Sequence, residues 1–247
     1  LECKDRETYI GVDVARSQDT TNNQTSIVII EVIRNKTGRI LHLDCINLIN
    51  ISNALNFDAQ AIEVKRIKKL YNAKVVVVDA NGVGSGCVDA LMKEQIDPYN
   101  GEILPCLNTM NSDALPEKSD AETCVYEIKA QTNNTEMIVN FINIVESGKL
   151  RLLEKRQDAD YDLKDKENYE ENILPFLQTD LLVEEVSNLQ LEHLNNGKLS
   201  IKKLIKRMNK DRFSAIEYVC WYIMTHEEGG WDESDDFEEM LKYTLFL

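Results

Sequence analysis

Residues 74–84 read Lys-Val-Val-Val-Val-Asp-Ala-Asn-Gly-Val-Gly. Four valines in a row predict a short strand that is apolar on both faces, as in a central parallel strand covered by helices on either side. The strand ends on a carboxylate, Asp79, and a glycine loop follows it. Upstream, Ala61, Val64, Ile67, Lys68 and Tyr71 recur at helical spacing between Asp58 and Asn72, with Asp58 as the expected cap. Earlier still, Tyr9–Ala15 is a short β-like run that also carries an aspartate near its end, Asp13. Ser26–Arg34 (SIVIIEVIR) and Arg39–Leu48 flank the turn 35–38, so the first three strands predict an antiparallel meander. A helical crossover from the third strand to the fourth makes that pair parallel.

Downstream, Cys87–Glu94 predicts a helix and Ile103–Leu107 a fifth strand. Ser119-Asp120-Ala121-Glu122 has the form of a capping box for a helix running to about Gln131. Asn134 or Thr135 caps a second helical stretch, with Ile138, Phe141, Ile142 and Val145 on one face and Gly148 at its end. Residues 155–168 predict a charged surface loop, and Thr179–Leu189 a helix. Asn196-Gly197, set between alternating arms, predicts a hairpin over 190–201. Phe213, Ile216, Val219, Cys220 and Ile223 define a last helix from about Arg212 to His226. This order predicts an α/β domain: a mixed sheet of about five strands, a meander plus parallel strands, with helices on both faces. The domain is expected to span 1–228. After Gly229-Gly230, residues 229–247 read as an acidic tail without a sustained apolar face, with Phe237, Leu241 or Tyr243 available should it dock.

The chain has 247 residues, 28 Lys plus Arg against 43 Asp plus Glu, and a net charge of −15. Hydrophobic residues make up 43% and charged residues 29%, which excludes wholesale disorder. No apolar run reaches the roughly 18 residues needed to span a bilayer, and the start has no signal-peptide pattern. Cys3, Cys45, Cys87, Cys106, Cys124 and Cys220 show no CxxC spacing and read as reduced core residues. Charge is unevenly placed: residues 154–192 hold twelve acids and four bases, 198–212 seven bases and one acid, and 227–247 eight acids and one base.

Open α/β sheets bind ligands at the carboxyl ends of their strands. Asp13 and Asp79 would share one crevice if the first and fourth strands are parallel neighbours. Asp211, in Lys210-Asp211-Arg212-Phe213-Ser214, is the third candidate, although it could simply cap the last helix, where Ser214-Ala215-Ile216-Glu217 offers a competing cap. Three gathered carboxylates raise one another's pKa, and a pair of hard divalent cations removes that cost. Gly82, Gly84 and Gly86 are spaced G-x-G-x-G rather than G-x-G-x-x-G, so they suggest a tight turn leaving room for a nucleic-acid backbone, not a nucleotide cofactor. Lys198, Lys202, Lys203, Lys206, Arg207, Lys210 and Arg212 flank Asp211 in an otherwise acidic chain and are the candidate phosphate contacts. His42, His193 and His226 show no ligand spacing, and Trp221 and Tyr222 read as core.

Gly11-Val12-Asp13-Val14-Ala15, Val78-Asp79-Ala80-Asn81-Gly82-Val83-Gly84 and Lys210-Asp211-Arg212-Phe213-Ser214-Ala215 resemble the C-terminal nuclease domain of tailed-phage large terminase subunits over roughly residues 8–226. The resemblance implies a ribonuclease-H-like fold and a Mg²⁺- or Mn²⁺-dependent endonuclease that cuts concatemeric viral double-stranded DNA during packaging, in the cytoplasm of the infected bacterial host. It places two metal ions on Asp13, Asp79 and Asp211, with Asp13 bridging. Met208 stands where some members carry a histidine, so no histidine role is implied there. It further implies as partners the ATPase motor domain, whose G-x-x-x-x-G-K-[ST] loop this chain lacks, the small terminase subunit and the procapsid portal. Two other readings fit the same residues: a junction-resolvase or transposase-type nuclease of the same fold, and a non-catalytic domain that docks on a portal or motor.

Overall fold

The structure, a computed structural model, describes residues 7–15, 24–52, 55–164, 166–227 and 230–231. β1 (Thr8–Asp13), β2 (Thr25–Arg34) and β3 (Ile40–Ile51) form the antiparallel meander. α1 (Phe57–Tyr71) then carries the chain back across the sheet to β4 (Val75–Asp79), which pairs with β1 in parallel. β3 and β4 run in the same direction, but β1 and β2 lie between them. The N-cap of α1 is Asn56, whose side chain accepts from the Ala59 N–H at 2.8 Å; Asp58 sits in the first turn instead.

After α2 (Val83–Leu91), β5 (Gln95–Ile96) and β6 (Ile103–Leu104) pair as a small separate sheet, and β7 (Leu107–Thr109) joins the main one. The expected fifth strand over 103–107 is thus divided between two sheets. The helix expected over 121–131 is a strand, β8 (Glu122–Ile128), lying between β7 and β4 and parallel to both. Both of its backbone edges are paired there, and its Thr, Cys, Val and Tyr run suits that setting. The tertiary ladder overrides a capping-box pattern that is only local. α3 (Ala130–Glu146) starts a turn earlier than the spacing suggests and ends, as expected, at Gly148 with φ +66°.

β9 (Leu150–Arg151) closes the far edge, giving a seven-stranded sheet in the order β7-β8-β4-β1-β2-β3-β9 rather than five strands. Residues expected to be loop form α4 (Arg156–Leu163), and α5 (Tyr169–Ser187) is longer than the stretch read from the sequence. The hairpin β10 (Leu189–His193) and β11 (Leu199–Lys203) is present, and α6 (Asp211–His226) completes the fold. No helix among the described residues is long and apolar enough to cross a membrane.

The sheet divides the core in two. Ile10, Val12, Val76 and Val78 pack with α1 and α2, while Tyr9, Val75 and Val77 pack with α3, α5 and α6. Cys45, Cys87, Cys106, Cys124 and Cys220 are free and buried; Cys3 lies outside the described residues. Of the stretch read as a tail, Gly230 and Trp231 are described. Ile40 donates its N–H to the Gly230 carbonyl at 2.9 Å, and Trp231 packs beside the core. Residues 232–247 lie outside the described residues.

α6 lies directly on β1 because Gly11 has no side chain: a Cβ there would stand 2.1 Å from the Ala215 carbonyl oxygen. Gly11→Ala should therefore push the helix off the strand and cost on the order of 1–3 kcal/mol. Urea unfolding checks this, and an unchanged midpoint would show that the helix yields freely.

Candidate active site

Side chains alternate along a strand, so Asp13 shares a face with Tyr9 and Gly11, and Asp79 shares one with Val75 and Val77. Both aspartates thus project toward α6. The parallel register Val12↔Val78 brings them level at the carboxyl ends of neighbouring strands. α6 begins above them with Asp211, whose Oδ2 accepts the Gln24 N–H at 2.9 Å. The three aspartates predicted from sequence distances of 66 and 132 residues are therefore brought to one end of the sheet, and Asp79 and Asp211 both act electrostatically on Asp13.

Burial pushes the Asp13 carboxyl up to about 8, and Asp211 and Asp79 add to that rise; the Lys210 ammonium and a hydrogen bond from Ser214 oppose it. Asp211 is also held above the usual carboxylate range by burial, against the Gln24 bond and the charges of Lys210, Arg212 and Lys203. Asp79 Oδ1 accepts from the Asn81 N–H at 3.0 Å and the Asn81 Nδ2 at 2.7 Å, and the Tyr218 hydroxyl lies 3.5 Å from its Oδ2. Glu217 is buried on the same helix and pushed up to about 7, with Lys210 opposing; its Oε1 has no hydrogen-bond partner among the described residues. Ser214, Glu217 and Tyr218 do not stand out in the sequence as site residues, yet they sit three, six and seven residues after Asp211. That spacing repeats one helical face and is the signal that could have found them.

The start of α6 is held from α5. Glu185 Oε2 accepts the Phe213 N–H at 3.0 Å, and its Oε1 accepts from Arg212 Nη1 at 2.6 Å. Arg212 Nε also donates to Gln178 Oε1 at 2.8 Å, and Arg212 is 8% exposed. Arg212 is thus a buried structural cation, which corrects its reading as a phosphate contact. Lys210 turns toward the acids and donates to Ser214 Oγ at 2.8 Å. Lys198, Lys202, Lys206 and Arg207 are exposed and Lys203 half-buried, all on or just after the hairpin. The hairpin is tied to α3 by Asn134 Nδ2, which donates to the Leu199 carbonyl at 3.0 Å, and by the Leu199 N–H, which donates to Thr135 Oγ1 at 3.1 Å. These two residues fasten the hairpin instead of capping a helix.

The glycine loop also has an internal purpose. A Cβ on Gly84 would stand 1.6 Å from the Asp79 carbonyl oxygen, so the glycine lets α2 start tight against the end of β4, the tight turn expected there. His226 stacks among Tyr126, Trp221 and Tyr222, away from the carboxylates. The donors at the site are carboxylate oxygens, the chemistry that suits hard divalent cations. Among the described residues no three His, Cys, Asp or Glu side chains already form a ready metal-ligand cluster.

No protein-family model and no curated protein matches the sequence. Solved structures do match. The large terminase nuclease from thermophilic phage G20c is 14% identical, with 87% of this chain and 81% of that chain covered and a TM-score of 0.51. The large terminase nuclease domain of Thermus phage P74-26 is 14% identical, with 92% and 84% covered and a TM-score of 0.52. A magnesium-bound structure of the G20c nuclease is 15% identical, with 88% and 82% covered and a TM-score of 0.51. The chain has the ribonuclease-H-like fold of these nucleases.

The Asp13 shift makes a prediction about pH. Its folded pKa lies above its unfolded value of roughly 4, so the native state holds a proton the unfolded chain has lost. The stabilisation is full below about pH 4 and drains away as pH rises toward 8. In chelator, melting temperature should fall across that window, and Asp13→Asn should flatten part of the fall. Parallel wild-type and mutant profiles would show that Asp13 is not strained.

Proposed function

We propose that this chain is a divalent-metal-dependent endonuclease that cuts double-stranded DNA during viral genome packaging. One observation supports the reading: Asp13 and Asp79 stand level at the carboxyl end of the β1–β4 pair, and Asp211 at the start of α6 is near enough to act on Asp13, in the fold of the large terminase nucleases. The magnesium-bound neighbour adds support for the choice of metal.

The oxygen-only donors fit Mg²⁺ or Mn²⁺, and Asp13, Asp79 and Asp211 are the residues that would hold such ions. A pair of such ions, when bound, supplies charge that stabilises both the attacking and the leaving oxygen of a phosphodiester. The chain's own residues do the rest. Asn81 and Tyr218 orient the Asp79 carboxylate, and the Gln24 N–H orients that of Asp211. Lys198, Lys202, Lys203, Lys206 and Arg207 hold the DNA by its phosphates, contacts that carry no base information. No side chain has to serve as general base. An ATPase motor domain, the small terminase subunit and the procapsid portal are the partners this function calls for, and the cytoplasm of the infected host is where it would act.

Supercoiled plasmid incubated with the chain should be nicked and linearised with Mg²⁺ or Mn²⁺ and left intact with chelator. Asp13→Asn, Asp79→Asn and Asp211→Asn should each abolish most cutting while the fold persists by circular dichroism, since Asn keeps the volume and removes the charge. Full cutting by Asp13→Asn would sink the mechanism, and a strong preference for branched DNA would point to a resolvase-type enzyme.

Replacing Lys202, Lys203 and Lys206 together by Ala should weaken DNA binding equally across sequences. The slope of log affinity against log salt should drop by about 0.9 for each duplex phosphate that the lysines no longer neutralise. An unchanged slope would make this stretch a solvated face only.

A further inference from the structure

Behind the basic hairpin, between α3, the end of α5 and the hairpin strands, lies an apolar groove of about 320 Å³. Ile142, Val145, Val186, Leu189, Leu191 and Ile201 line it. Val145 is 49% exposed, Leu191 40% and Val186 37%, which is unusual for neighbouring branched residues on one face.

The described chain ends at Trp231, on the same side of the sheet as α3. The Trp231 ring lies 5.2 Å from Lys149 Nζ, and Lys149 stands three residues past the end of α3, its N–H donating to the Ile144 carbonyl at 3.0 Å. The sequence continues from there through residues 232–247. Those sixteen residues reach roughly 24 Å even at the helical rise of 1.5 Å each, and further if extended. They carry six acids and one lysine, whereas the hairpin and the turn after it carry Lys198, Lys202, Lys203, Lys206 and Arg207. Among the acids, Phe237, Met240, Leu241 and Leu245 recur at i, i+3, i+4 and i+8, the spacing of a short apolar face.

We propose that residues 232–247 of this chain dock in the groove, with Phe237, Met240 and Leu241 against its apolar wall and the acids toward the hairpin lysines. The segment then covers the basic surface proposed to hold DNA phosphates, so segment and DNA compete. That last step rests on the proposed nuclease reading; the docking itself does not. Apolar contacts supply the binding, and the opposed charges set the direction and the competition.

Hydrogen exchange on the full chain tests the docking without DNA. Amides 237–245 should exchange at least tenfold more slowly than in a synthetic peptide of residues 232–247. Val145→Asp, at the exposed rim, and Leu241→Asp, within the segment itself, should each return them to the peptide rate. Both variants should bind duplex DNA about 3- to 10-fold more tightly at low salt, with the gain shrinking as salt rises. Peptide-like exchange in the unaltered chain would overturn the docking, as would protection that neither substitution removes. Protection that rises with protein concentration, alongside dimers in light scattering, would assign the groove to a second copy and overturn the proposal. Loss of protection with unchanged DNA affinity would uphold the groove and overturn the competition. A chain that binds no DNA at all would count against the nuclease reading and leave the exchange result standing.

Discussion

The contact of α6 with β1 is the constraint on which the site depends. A helix can lie this close to a strand only where a side chain is missing, and Gly11 is that place. The seat is finished from the other side by Glu185, which binds both the Phe213 N–H and the Arg212 guanidinium at the start of the helix. The buried Arg212–Glu185 pair adds little net stability compared with an apolar pair, yet breaking it would leave a buried charge uncompensated. Its geometric effect is clear: it fixes the first turn of α6, and with it Asp211, above the ends of β1 and β4.

That placement has an electrostatic cost. Asp211 and Asp79 both add to the rise that burial gives the Asp13 carboxyl, and Glu217 adds a further buried acid. Lys210 faces Asp13, Asp211 and Glu217 and opposes the rise of each. One ammonium cannot neutralise so many carboxylates.

Charge on the whole molecule follows the same logic. The chain is acidic, at −15, and its positive charge is concentrated on and after a hairpin beside the crevice. The hairpin is not a free arm: Asn134 and Thr135 fasten its second strand to α3. A fixed basic ledge thus lies next to an acidic crevice. The apolar groove under the ledge belongs to the same region, and any segment seated there lies within reach of the hairpin lysines.

Much was legible from the sequence itself because it depends on local periodicity. The valine run, the β-branched meander, the Asn196-Gly197 turn and the apolar stripe of the last helix each state their conformation within a few residues. The carboxylates at strand ends were legible for the same reason, since alternation sets which face each one takes. What the sequence left open depends on partners distant along the chain. Residues 122–128 carry a helix-start pattern, but lie between two strands whose ladders need a third, so they extend. β9 and the division of residues 103–109 between two sheets likewise exist only through pairing. Arg212 looks like one more base in a basic run, and only the fold brings Glu185 and Gln178 to it. Local hydrogen bonds and side-chain spacing are written in the order of residues; which buried charge meets which, and which strand finds an open edge, is decided only when the chain has closed on itself.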